Sequence, residues 1–533
     1  MNANKRALTA RLHSAKRLNR DQIRAPLITI GCILRFFSAQ SAMRPRLSGV
    51  RPAQPGKPSS ETAARNGAPS GASASVAVRI IRNKDLSMSN SSSAQWSSRL
   101  GFILASAGSA IGIGAIWKFP FWAGANGGAA FIIPYIFFTF TIGIMLVMAE
   151  IALGRRGRGS VMSAMMRVGG RWCAPLGIFA VLTSFLILSY YSVVGGWCVA
   201  YLFDALTGAV TISDPEVLKA QFANLVSNGY LNVGWHFVFL AITCGTVALG
   251  VQQGIERLSK YLMPTLFVLM VAIIIRCLML DGAWGGVKYL FAFDWSTVTP
   301  SAILNAMGFT FFSLSLGAGI LITYGSYLQK ESNIVSASAW VAVLAIQAAL
   351  LAGLMIMPAV FAFGLEPNAG PGLVFVTVPM IFSKIPFGGF FALLFYICLL
   401  TAALTSAVSL LEVVVAFLHN EWHFSRRLSV TLCFVSLFLL GAVSALSFGV
   451  WSDFTIAGRN FFDFLDFVCT NFMMPAGGLV VAAIMGWKAW PIFKEELQSA
   501  RPYSEGVLSA IHWIVAIMAP ILVLVAVFQG LFG

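Results

Sequence analysis

The chain has 533 residues, of which 58% are hydrophobic and 11% charged, with a mean hydropathy of +0.80. A soluble globular chain is about 25% charged, so this composition excludes a water-soluble domain and indicates a polytopic membrane protein. Sixteen of the 36 basic residues, but only Asp21, Glu61 and Asp85 of the 20 acidic ones, fall in residues 1–90. That tail carries a net charge of +13 and the other 443 residues only +3, so the basic balance is no nucleic-acid signature.

Residues 1–90 are rich in Ala, Ser, Pro and Gly and are expected to be disordered. Their apolar stretch at 27–37, interrupted by Arg35, is too short to cross a bilayer. Its Arg-rich, acid-poor character fits a targeting segment, although the preferred reading is an extension translated ahead of a start at Met88. Residues 91–533 read as one transmembrane domain.

Apolar runs long enough to span about 30 Å of hydrocarbon fall at 101–123, 128–153, 174–205, 233–251, 255–280, 302–328, 334–363, 388–418, 427–449, 461–487 and 506–532. The expectation is therefore an all-α membrane protein of eleven transmembrane helices. Cysteines such as Cys198, Cys244, Cys398 and Cys433 sit inside these runs, as small buried hydrophobes do, and suggest no disulfide framework. Loop charges set the orientation. Arg155, Arg156, Arg167, Arg171, Arg426 and Lys494 are among thirteen Lys/Arg on one side, against Lys219, Lys288, Lys384 and Arg459 on the other. The N-terminus is thus expected in the cytoplasm and the C-terminus outside, in the cell (inner) membrane.

Two spans carry internal interruptions. The first contains "AGSAIGIGAIWKFP", with Gly108, Gly112, Gly114 and Pro120, and the sixth contains "FFSLSLGAG", with Gly317 and Gly319. A glycine pair in a membrane helix is commonly a close-packing face. Here the interruptions hold the same place in two halves of five spans each, the pattern that marks a transporter's binding site. Unwound backbone in lipid costs several kcal/mol per unpaired group unless it lines a polar cavity. No strand precedes the glycines, which excludes a dinucleotide loop. No HExxH motif, nucleophile elbow or P-loop is present, and the five His are scattered, so no enzyme is indicated.

The blocks "WSSRLGFILASAGSAIGIGAIWKFP", "NGGAAFIIPYI", "YYSVVGGW", "GIERLSKYLMPTLF", "FFSLSLGAGILITYGSY" and "LTSAVSLLE" resemble the neurotransmitter:sodium symporter family over about 96–530. The likeness is to its eleven-helix prokaryotic amino-acid branch. It implies a leucine-transporter-type fold, a five-plus-five inverted repeat with helices 1 and 6 broken. It also implies alternating access, with helices 1, 2, 6 and 7 rocking against helices 3, 4, 8 and 9.

Residue by residue, the resemblance implies a substrate carboxylate held by the backbone of Ile113 and Gly114, near a half-helix N-terminus, and by the hydroxyl of Tyr191. The ammonium would meet carbonyls of Ala110, Phe312 and Ser315. Gly112 stands where amine-transporting relatives place an Asp, which favours an amino acid that brings its own carboxylate. Ile187, Phe312, Ala318, Ser406 and Leu410 would contact the side chain. Ala318 replaces a large aromatic of some relatives and leaves room for a bulky apolar or aromatic substrate.

One Na⁺ site carries over whole: carbonyls of Gly108, Ile111 and Ala402 with hydroxyls of Thr405 and Ser406. The other would keep only Ala110, Ser313 and the substrate carboxylate, because its two side-chain ligands correspond to Ala115 and Ala345. The acid or chloride position corresponds to about Ala349. One Na⁺ and no chloride are therefore expected. Lys118 and Asp466 correspond to the outer gate and Trp96 to the cytoplasmic plug, while the cytoplasmic ion pair is replaced by Ser93 and Asn420. Glu150 would accept hydrogen bonds from unwound helix 6, and Glu412 is either a proton carrier or a packed, satisfied residue. The partners implied are an amino acid, sodium and the lipid bilayer. Proton-coupled or uncoupled carriage, and a transport-inactive sensor, are the alternatives.

Overall fold

Apart from one bridge between Ile456 and Arg459, every regular element among the described residues is helical. A bilayer leaves little choice, since a spanning segment must satisfy its own backbone and helices do so internally. The computed structural model describes residues 95–208, 214–365 and 372–532, within the unit Ala94–Gly533. The extension expected at 1–90, its apolar stretch at 27–37 and Ser93 lie outside the described residues.

Nine helices among the described residues are long and apolar enough to cross a membrane. They are Ala129–Gly157, Arg171–Thr207, Gly229–Ala248, Val251–Leu278, Ile334–Ala362, Gly388–Glu421, Arg426–Leu446, Phe461–Lys488 and Glu505–Phe528. These correspond to the expected second to fifth and seventh to eleventh spans. Several start at a side-chain cap: Asn228, Asn333, Ser425 and Asn460 each accept the amide three residues on.

The first span is broken, as Arg99–Ala110 and Ile113–Ala125 meet at an angle of 49°. The chain leaves the helix at Ile111 (φ −95°, ψ 66°) and is fully extended in ψ at Gly112 (−173°). The sixth span is broken more widely, into Pro300–Ser313 and Ile320–Ser326. Ser315, Gly317 and Gly319 between them have φ of +54°, +80° and +78°, which two glycines adopt without steric cost. The seven-residue second piece does not cross a membrane by itself. The expected eleven spans are therefore reached only when the two pieces count as one, because the break consumes six residues rather than two.

Short helices absent from the expectation, Val161–Gly169, Pro215–Ser227, Ala283–Phe291 and Trp490–Gln498, occupy the connections. The third span packs along the eighth and the fourth, and the eighth runs beside both pieces of the first. Both breaks are thus set against an unbroken wall.

Candidate functional site

Where the first span breaks, glycine is required by its neighbours. A Cβ on Gly112 would fall 2.8 Å from Ser406 Oγ and 2.9 Å from Tyr191 Oη. A Cβ on Gly114 would fall 2.1 Å from Cε1 of Phe312, so that ring rests on the Gly114 backbone. The Ile113 amide, in the first turn of the second half-helix, donates to Tyr191 Oη at 3.1 Å. An N–H at the positive end of a half-helix thus has the third-span phenol as its partner.

From the sixth span, Ser315 Oγ donates to the Ser109 carbonyl at 3.0 Å, and Ser406 Oγ of the eighth span donates to the same oxygen at 2.8 Å. Glu150 Oε1 accepts the Gly317 amide at 2.7 Å, the bond expected of it, and so satisfies unwound backbone from the second span. Ser184 of the third span donates to the Ala318 carbonyl at 2.5 Å.

These elements enclose a cavity of about 270 Å³. Ala110, Gly112, Ile113, Gly114, Ile187, Tyr191, Phe312, Ser315, Ala318, Ser406 and Leu410 all line it, as do Lys118 and Asp466. Ser313 does not: its hydroxyl lies 3.3 Å from Tyr135 Oη on the second span and also bonds the Thr310 carbonyl. The last turn of the half-helix rotates it away from the cavity that Phe312 and Ser315 face. Tyr190, Val194, Phe462, Asp463, Ile320 and Met474 also line the cavity and went unread in the sequence, because they look like ordinary apolar or loop-proximal positions.

The residues expected to bind a cation belong to the first span, around its break, and to the eighth span. Thr405 Oγ1 lies 3.1 Å from each of the Thr401 and Ala402 carbonyls, to which it donates. A Cβ on Gly108 would touch the Thr405 side chain at 3.2 Å, so the two residues are neighbours. Oxygen donors of this kind, with no carboxylate, suit a hard monovalent ion. Ala115 and Ala345 are 4% and 2% exposed, and neither side chain can coordinate an ion. Ala349 is packed in an apolar cluster with Phe119, Tyr135, Phe309 and Ile346.

Toward one mouth, Lys118 Nζ lies 3.1 Å from Asp466 Oδ1 and 4.4 Å above the Phe312 ring. Toward the other end, Trp96 is 3% exposed; its indole N–H donates to the Tyr324 carbonyl at 2.9 Å, and its rings pack edge-on against Phe102, Tyr324 and Tyr327. Asn420 donates to the Ala416 carbonyl of its own helix at 2.8 Å. Glu412 is fully buried and forms a two-pronged pair with Arg426 (2.5 and 3.1 Å), while Tyr327 donates to it at 2.8 Å. That is the satisfied-residue outcome for Glu412.

The model of the sodium:neurotransmitter symporter family matches residues 93–217 and 215–532. The sodium-dependent transporter YhdH of Bacillus subtilis is 41% identical over 412 residues, covering 77% of this chain and 90% of its own length. A sodium-dependent transporter of Haemophilus influenzae is 35% identical over 449 residues, covering 82% and 98%. Among solved structures, that of MhsT in complex with L-phenylalanine aligns with a TM-score of 0.77 at 42% identity, over 82% of this chain and all of the other. The two broken spans and the cavity between them are thus those of a known transporter architecture, and this multi-pass membrane chain belongs to the sodium:neurotransmitter symporter family.

Proposed function

We propose that the chain is a secondary active transporter that carries an L-amino acid inward with one Na⁺ and without chloride, by alternating access. The observation that carries this reading is the convergence at one break of the Ile113 amide, the Tyr191 hydroxyl and the Gly108–Thr405 contact. A carboxylate fits the first two, an alkali cation fits the oxygens beside the third, and neither needs a charged side chain from the protein.

The mechanism follows from which parts each ligand joins. A cation shared by Gly108, Ile111, Ala402, Thr405 and Ser406 ties the first span to the eighth and favours the state in which the outer path is open. The substrate then bridges the first and sixth breaks to Tyr191 of the third span, and Phe312 and the Lys118–Asp466 pair close above it. Opening inward requires Trp96 to leave Tyr324 and Tyr327.

A bulky apolar or aromatic amino acid is the favoured cargo: Ala318 leaves space, and the similar MhsT was solved with L-phenylalanine. A single Na⁺ accords with the buried alanines 115 and 345, and independence from chloride with the apolar packing of Ala349. The Lys/Arg bias of the loops supports a cytoplasmic N-terminus and an outside C-terminus. The test is binding of radiolabelled L-phenylalanine, L-leucine and L-alanine to purified protein in NaCl and in choline chloride. Binding that needs sodium is expected; equal binding in both salts contradicts the reading.

A further inference from the structure

The tenth span, Phe461–Lys488, reaches the cavity at two depths. Phe462, Asp463 and Asp466 belong to the outer mouth, whereas Met474 lies eight residues on, roughly 12 Å deeper at 1.5 Å per residue. Eight residues of regular helix turn about 80° past two full turns, which would carry Met474 off the face that bears Asp466. The wide π-turn at Cys469–Met473 takes up an extra residue just before Met474 and brings it back. Wide turns of this type occur often at functional positions.

Helix 10 is also pressed hard against the sixth break at this level. A Cβ on Gly317 would fall 1.9 Å from the Met474 carbonyl, and one on Gly477 would fall 2.3 Å from the Gly317 carbonyl. The next residue, Ala318, is 1% exposed and carries only a methyl group. A small residue there leaves the side-chain end of the cavity to be closed from behind, and Met474, 4% exposed, lines the same cavity.

We infer that Met474 is a specificity-determining residue, the wall that sets the upper size of the substrate side chain. This rests on the amino-acid reading above and deepens it. A flexible, unbranched thioether moulds itself to ligands of different shape, so the wild-type site accepts several large apolar side chains. One methylene of fit or misfit in an apolar pocket changes preference about 10–200-fold, which gives the expected scale.

The experiment measures Kd of L-alanine, L-leucine, L-phenylalanine and L-tryptophan in NaCl for wild type, Met474→Ala, Met474→Phe and Met474→Leu. Sodium-dependent thermal stabilisation serves as the folding check for each variant. Met474→Ala is expected to improve tryptophan relative to leucine about tenfold or more. Met474→Phe is expected to weaken phenylalanine and tryptophan relative to alanine by a similar factor, and Met474→Leu, of nearly equal volume, to keep the wild-type order. Either of the first two variants decides the matter if the other fails to fold. Ratios within about twofold of wild type in a folded Ala or Phe variant overturn the role of Met474 and leave the amino-acid reading intact. Wild type that binds none of the four overturns that reading, and this inference with it.

Discussion

Gly112 and Tyr191 face each other across the first break, so closely that a Cβ on the glycine would lie 2.9 Å from the phenol oxygen. The same imagined carbon lies 2.8 Å from Ser406 Oγ. Any side chain at 112 therefore crowds Tyr191 and Ser406, where the proposed reading puts the substrate carboxylate, and an Asp there adds like charge. Gly112→Asp and Tyr191→Phe are each expected to cut amino-acid uptake tenfold or more at unchanged surface expression. The loss of one hydrogen bond to a charged group, about 1.5–3 kcal/mol, sets that scale for Tyr191→Phe. Unchanged uptake in both variants rejects the placement of the carboxylate.

Thr405 tests the cation site without touching the substrate cavity, since it is absent from the cavity lining whereas Ser406 is part of it. Thr405→Val removes one oxygen and keeps the shape. Loss of about 2 kcal/mol of ion affinity corresponds to a roughly thirtyfold rise in the Na⁺ concentration for half-maximal uptake. Sodium titrations of the two proteins that superimpose refute the site.

The ion pair proposed as the outer gate is partly exposed, with Lys118 18% and Asp466 33% exposed. At that exposure its strength is about 1 kcal/mol, discounted for solvent. Lys118→Ala is expected to lower uptake about fivefold, by loss of both the Asp466 pair and the contact over Phe312. Lys118→Arg, which adds a second donor toward the carboxylate, should retain transport. Steady-state uptake by the three proteins distinguishes the pair from a bystander.

Glu412 is fully buried and pairs with a partly buried Arg426, so removing the arginine strands a buried carboxylate. Glu412→Gln and Arg426→Gln are each expected to destabilise the protein by about 3 kcal/mol, and the double variant by less than the sum. Thermal unfolding of the purified singles and the double should show the double falling short of the summed losses. Additive losses indicate two unrelated side chains.

The sequence made the breaks readable because glycine clusters inside apolar runs have few physical explanations, and Gly112, Gly317 and Gly319 lie at them, with Gly108 in the helical turn just before the first. It also made Glu150 readable, since a carboxylate at membrane depth needs donors and unwound backbone supplies them. What it concealed depends on rotation and on distant neighbours. Ser313 is one residue from Phe312, and only the phase of the last helical turn decides that one lines the cavity while the other meets Tyr135. Arg426 lies in the next span from Glu412, so nothing in local spacing links them. Met474 reads as one more apolar residue until the π-turn before it is seen. The connecting helices, such as Pro215–Ser227, are too short and mixed to stand out beside the spans.

The most direct measurement of the central claim is flux of radiolabelled amino acid into proteoliposomes under an imposed sodium gradient, with salts exchanged one at a time. Accumulation should follow the inward Na⁺ gradient with a Hill coefficient near one and persist when gluconate replaces chloride. Accumulation that continues undiminished when choline replaces Na⁺ contradicts it.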